Sequence, residues 1–263
     1  MRFGVIADIH ANLHALDAAL AFLSAQGVDG YLCAGDLVGY GPMPNECVRR
    51  VSGLSGTCVT GNHDLIALGA LGDERCDLRA RESLRWTRAA LDGDTRALLS
   101  ALPREADVDG IALHHGSPTD VQEYVRTETQ AMAALSELAR RRPGGEILIL
   151  GHTHHALAVG QERGTVLRGG TGSVRLAPGE PMLLNPGSVG QSRTRDARAR
   201  VIVLDLAESS ATFHAVAYDT AACREALRQR GLPLDSCHPW RSRWGTVVHL
   251  VRRTYSGRHG GSR

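Results

Sequence analysis

The stretch Arg2-Phe3-Gly4-Val5-Ile6-Ala7-Asp8-Ile9-His10 is a short apolar run that stops on a carboxylate and an imidazole. Residues 2–7 read as a buried strand. The same grammar recurs along the chain. Residues 30–34 (Gly-Tyr-Leu-Cys-Ala) run into Gly35-Asp36, and residues 56–60 run into Gly61-Asn62-His63-Asp64. Residues 107–113 lead past His114 to His115-Gly116, and residues 146–150 lead to Gly151-His152-Thr153-His154. Five apolar runs thus end in residue types that bind metals, each with a glycine nearby that lets the backbone turn tightly. In open α/β sheets ligands bind beyond the carboxyl ends of the strands, so these residues are expected to converge on one crevice.

Each ending has an ordinary explanation when taken alone. A histidine in a strand-end loop is usually a hydrogen-bonded loop residue, and an aspartate after glycine is usually a turn or a cap. That explanation would have to hold independently at five strand ends, and a metal site explains all five together. The donors are Asp8 and Asp36, four imidazoles (His10, His115, His152, His154) and the amide of Asn62. A mixed oxygen and nitrogen set without thiolate suits Mn²⁺, Fe²⁺, Zn²⁺ or Ni²⁺ better than Ca²⁺ or an iron–sulfur cluster. Seven donors exceed the three or four that one catalytic ion takes from protein. Two ions sharing one carboxylate fit better, and a pair roughly 3.5–4 Å apart stabilises both oxygens of an in-line displacement at phosphorus.

The rest of the chain is consistent with one layered α/β domain. It has 263 residues, 43% of them hydrophobic, enough for a substantial core. Asn12 is placed to cap a helix whose Leu13, Leu16, Leu20 and Leu23 share a face. Another helix should start near Asn45, residues 65–105 read as helical and Arg-rich, and amphipathic helices are expected over 129–141 and 219–230. Further strands are expected at 165–168, 182–184, 200–206 and 211–217. The net charge of +2 implies neither a nucleic-acid nor a membrane partner, and every basic residue is arginine. Without lysine there is no Schiff base and no P-loop. Six dispersed cysteines form no metal-ribbon spacing, and Cys33 and Cys58 read as core side chains. No signal peptide is visible in the opening residues, and no run approaches the roughly 20 apolar residues that span a bilayer, so a cytoplasmic protein is expected.

The series Asp8-x-His10, Gly35-Asp36-x-x-Gly39, Gly61-Asn62-His63-Asp64, His115-Gly116 and Gly151-His152-x-His154 resembles, in order and spacing, the calcineurin-like metallophosphoesterases. Gly39-Tyr40-Gly41-Pro42, His115-Gly116-Ser117-Pro118 and Asn185-Pro186-Gly187-Ser188-Val189-Gly190 are similar to the small prokaryotic phosphodiesterase branch. The resemblance covers residues 1–232. It implies a β-sandwich of two mixed sheets flanked by helices. By position it implies Asp8, His10 and His154 on one ion, Asn62, His115 and His152 on the other, and Asp36 between them. His63 then stands beside the leaving group without binding metal. A hydroxide bridging two cations, its parent water's pKa brought toward ~7, would attack phosphorus. The metals and Asn62 would offset charge on the phosphoryl oxygens. The expected activity is hydrolysis of a small phosphoester, a diester before a monoester, with two divalent ions, Mn²⁺ first and Fe, Zn, Ni or Mg after it. The rivals are a binding or scaffold protein that keeps the fold without catalysis, and a nucleotide or nucleic-acid phosphohydrolase. His63, the residue that discriminates against the first rival, is present.

Other polar residues carry weaker readings. His114 reads as packing, because strand alternation sends only one of two adjacent side chains toward the metals. Asp64 reads as a residue that orients the loop or His63. The basic run 193–200 reads as a solvated loop and strand edge in preference to a phosphate-attracting Arg193 or Arg195. Tyr40 and the 65–105 helices are expected near the substrate. The Arg-rich tail from 233, with Trp240, Trp244 and Tyr255, reads as a partly loose terminus rather than a single-stranded nucleic-acid platform.

Overall fold

A computed structural model describes residues 1–144 and 146–238. The chain order is β1 (Arg2–Ile6), α1 (Leu13–Ala25), β2 (Gly30–Cys33), α2 (Pro44–Ser52), β3 (Gly56–Cys58), α3 (Asn62–Leu68), α4 (Leu78–Ala90) and α5 (Gly93–Ser100). It continues with β4 (Ala106–Val108), β5 (Ile111–Leu113), α6 (Glu128–Arg141), β6 (Ile147–Ile149), β7 (Leu157–Gly160), β8 (Gly164–Arg168) and β9 (Gly172–Arg175). It closes with β10 (Met182–Asn185), β11 (Ala199–Asp205), β12 (Ser210–Val216) and α7 (Thr220–Gln229).

The strands form two six-stranded mixed sheets, ordered β3-β2-β1-β11-β12-β9 and β4-β5-β6-β10-β7-β8. Alternating side chains divide the apolar content into layers. Val5, Ile111, Ile149, Leu184 and Phe213 meet between the sheets. Their neighbours point outward. Ile6 packs with Leu16, Val48, Ile66, Leu84 and Leu99 from the helices on one side, and Leu148 and Leu183 pack with Leu135 and Leu138 of α6 on the other. A sheet covered on both faces needs apolar residues at every position, and this is why these strands read as unbroken runs. Helix starts follow their caps: Asn12, Asp77, Asp92, Thr127 and Asp219 each accept a hydrogen bond from a first-turn N–H.

Each sheet contains a parallel triplet, β1, β2 and β3 in one and β5, β6 and β10 in the other. All six run so that their carboxyl ends lie at one edge of the sandwich. Cross-sheet hydrogen bonds seal that edge, with Val189 N–H donating to Ala7 O at 3.0 Å and Gly190 N–H to Asp8 O at 3.0 Å.

Three sequence expectations change. The run 107–113 is a hairpin of β4 and β5, because Asp109 (φ 52°) and Gly110 (φ 82°) make a two-residue turn, a signal the apolar reading passed over. Residues 65–105 are interrupted helices, with loop 69–77 between α3 and α4. Strands β7 and β9 had no expectation; β9 is Gly-Ser-Val-Arg, mostly exposed and without an apolar pattern. All six cysteines are free, and among the described residues no helix is long and apolar enough to cross a membrane. The aromatic and arginine tail expectations from residue 239 on lie outside the described residues.

Candidate metal centre

The loops after the parallel strands hold their side chains by an unusual backbone. Asp8 (φ 54°), His10 (φ 49°), Asp36 (φ 56°), His152 (φ 64°) and His154 (φ 62°) all occupy the left-handed region. For residues with a Cβ that region costs about 1–3 kcal/mol each, and such strain concentrates at functional sites. Long-range bonds hold it: Asp8 N–H donates to Gly35 O (3.0 Å), His10 N–H to Asp36 O (2.9 Å), and the Ser188 hydroxyl to Asp8 O (2.8 Å).

All eight residues singled out in the sequence are buried and meet here. Potential metal-donor atoms of Asp8, His10 and His154 lie within 4.8 Å of one another, as do those of His10, Asp36 and His63, and those of Asp36, His115 and His152. Asp36 Oδ2 stands 3.6 Å from His10 Nε2 and 3.2 Å from His115 Nε2, while its Oδ1 accepts the His63 N–H at 2.8 Å. Asn62 Oδ1 is 3.1 Å from His115 Nε2.

The hydrogen bonds decide which ring nitrogen each histidine offers. Nδ1 of His10 donates to Val38 O (3.0 Å), that of His115 to Ala34 O (2.7 Å), and that of His154 to Gln191 O (2.6 Å). A carbonyl only accepts, so these nitrogens carry the proton, and in the neutral ring each Nε2 is left with a lone pair. His152 is reversed: Nε2 donates to Gln122 O at 3.1 Å, which frees Nδ1. His10 and His154 then aim their Nε2 lone pairs at each other across 3.1 Å. Two acceptors that close repel unless a cation lies between or beside them. Asp8 Oδ2, also buried, has no hydrogen-bond partner. These residues fit a divalent ion, and the carbonyls behind each ring are the outer partners such ligands use to fix orientation.

The electrostatics agree for three of the four imidazoles. Burial holds His10 and His154 well below the ordinary histidine value, and brings His152 down to about 2. All three are therefore neutral, as ligands must be. His115 is the exception: burial opposes charge on it, but Asp36 overrides this and lifts it to about 9, so its Nε2 carries a proton toward Asp36 that a bound ion would displace. Burial raises Asp8 to about 7, and the Asp36 carboxylate adds to that against the pull of His115. Asp36 is buried too, which alone would raise it, yet His115, His63 and His10 hold it well below the usual range.

Beside the cluster opens a cavity of about 440 Å³ lined by Tyr40, Asn62, His63, Tyr124, His152 and Arg193 among others. Arg75, Asp77 and Arg79, on and before α4, form one wall, so the expected contribution from the 65–105 region is present. Gln122, Tyr124, Arg126 and Gln191 form another that the sequence reading missed. Arg193 departs from the solvated-loop preference: it is half-buried and faces the cavity, whereas Arg195 is exposed. His114 points to Glu105 at 3.6 Å, away from the cluster. Asp64 accepts from the N–H groups of Leu37, Val38 and Gly61 and ties the Asp36 loop to the start of α3.

A family profile of the calcineurin-like phosphoesterase superfamily domain matches residues 1–209. The chain belongs to that superfamily. A phosphoesterase of this kind hydrolyses phosphoesters, and the grouped histidines and aspartates are side chains able to bind its metal. The phosphoesterase is 30% identical over 238 residues to an uncharacterized protein of Methanocaldococcus jannaschii, a match covering 87% of this chain and 93% of the relative. It is 32% identical to a metallophosphoesterase from Sphaerobacter thermophilus, whose crystal structure superposes with a TM-score of 0.78, covering 91% of this chain and 98% of that one. A hypothetical protein from Pyrococcus horikoshii shares the fold at 18% identity, with a TM-score of 0.73 and coverage of 92% and 99%.

Proposed function

We propose that this phosphoesterase is a two-metal phosphodiesterase in which Asp8, His10 and His154 hold one divalent ion, Asn62, His115 and His152 hold a second, and Asp36 serves both. The observation that carries this is the place of Asp36 Oδ2, within 3.6 Å of a ring nitrogen from each trio. When bound, two such ions lower the pKa of water toward neutrality and offset phosphoryl charge. The chain's own part is to hold them without relaxation, since each lone pair is pre-aimed by a backbone hydrogen bond.

His63 lines the cavity at the edge of the cluster and has no hydrogen-bond partner at Nδ1. That Nδ1 is packed against Gly39, so the role as acid or electrostatic stabiliser of the departing oxygen falls to the edge of the ring that faces the cavity. Asn62 adds a buried amide beside His115. Resemblance of the segments at 39–42 and 185–190 to the small prokaryotic branch favours a diester over a monoester, and residues 1–232 are taken as the catalytic unit. Mn²⁺ is the leading ion, with Fe, Zn, Ni and Mg as alternatives.

The test is hydrolysis of bis-p-nitrophenyl phosphate and p-nitrophenyl phosphate after chelation and re-addition of Mn²⁺, Ni²⁺, Zn²⁺ or Mg²⁺. Activity is expected to vanish on chelation, return with a transition metal, and favour the diester. Hydrolysis of neither ester with any ion would transfer the reading to a scaffold that keeps the fold.

A further inference from the structure

The cavity wall carries an arginine that the metal-site reading does not use. Arg75 and Arg79 are occupied, bonding to Asp120 at 2.7 Å and to Asp235 at 3.1 Å. Arg193 is different. Among the described residues no carboxylate lies within ion-pair distance of it, and its guanidinium meets the Tyr124 hydroxyl at 3.3 Å. It shares the cavity lining with Asn62, His63 and His152. Its charge is felt at Asp8, His10, His63, His152 and His154, where it disfavours protonation.

The position is rigidly framed. The Tyr124 ring stacks on His152, with centroids 4.0 Å apart and planes 20° apart. Arg126 lies 3.9 Å from the same centroid, so it must occupy the opposite face. With both faces taken, Tyr124 has no surface for a substrate base, and its hydroxyl is left to locate Arg193. Behind the arginine, Gln191 O accepts from His154 Nδ1, so the loop that carries Arg193 also orients one of the metal-binding imidazoles.

Removing a cation from water without an ion-pair partner is unfavourable, and a guanidinium beside divalent ions would be repelled by them as well. A phosphate ester entering the cavity resolves both, because its oxygens can meet metal on one side and a planar donor fork on the other. We propose that Arg193 is the phosphate-binding arginine of this site, gripping the phosphoryl group of the substrate from the cavity side. The proposal rests on the hydrolase reading for its substrate, but the binding it predicts is measurable without turnover.

The experiment measures inorganic phosphate binding by calorimetry to the metal-loaded protein, its metal content, and kcat/KM on the nitrophenyl esters. Arg193→Ala is expected to keep its metals and to weaken phosphate binding about 10–100-fold, the worth of hydrogen bonds to a charged group. The loss in kcat/KM should be at least as large. Arg193→Lys should fall between, since it keeps the charge and loses the fork. Arg195→Ala, at an exposed position, should match the unmodified protein. Unchanged phosphate affinity in metal-loaded Arg193→Ala overturns the proposal, and so does loss of metal from that variant, which would make Arg193 a support for the centre. Arg193-dependent phosphate binding in a protein that cleaves no ester would leave this assignment standing while the hydrolase reading fell.

Discussion

A Cβ on Gly39 would lie 2.4 Å from Nδ1 of His63, so the imidazole at the cavity edge rests on a bare glycine Cα. Gly39 also has φ +87°, which side-chain-bearing residues rarely adopt. Gly39→Ala is therefore expected to cost about 1–2 kcal/mol from the backbone alone. Displacing His63 should also bring the activity down toward that of a His63 variant. A thermal melt read beside kcat/KM checks both. A Gly39→Ala protein with undiminished activity would detach His63 from the reaction.

His63→Ala should itself retain both ions, because the two trios and Asp36 supply the proposed ligands. Its rate should fall by about 10²–10⁴, the usual worth of acid assistance. The loss should be largest for esters with poor leaving groups and small for p-nitrophenol, which departs without a proton. Equal losses across a leaving-group series would argue for a structural role.

Asp36→Asn is nearly isosteric, yet it replaces the carboxylate that stands between the trios. Metal content after desalting should drop at both sites together, from about two ions per chain toward none. Loss of a single ion would mean that Asp36 serves only one of them.

Asp64 never reaches the cluster, and its carboxylate instead accepts three backbone N–H groups. Asp64→Ala leaves those donors buried and unpaired, and about 3 kcal/mol of stability should go with them. Since they set the Asp36 loop, metal affinity should weaken about 10–100-fold as well. Denaturant unfolding and metal titration measure the two effects separately, and normal metal affinity would confine Asp64 to capping.

The layered fold was legible because sheets covered on both faces need unbroken apolar strands, as at Val5-Ile6 and Leu148-Ile149. The donors were legible because aspartate, asparagine and histidine declare their chemistry wherever they stand. The hairpin at Asp109-Gly110 is written in the sequence as an Asp-Gly pair, which a run judged by apolar content alone does not reveal. Strand β9 was not written there, since an exposed edge strand buries too little to leave a pattern.

The amino-acid order by itself determined which groups would meet: two carboxylates, an amide and four imidazoles at the ends of successive strands. Only the tertiary structure decided which nitrogen of each ring is free, since that choice belongs to the carbonyls of Val38, Ala34, Gln191 and Gln122. Every residue has a carbonyl, so no side chain marks those partners in advance. Arg193 is the same case from the other direction. Its charge was visible in the sequence, but its lack of a carboxylate within ion-pair distance among the described residues and its place in the cavity follow from how distant loops pack.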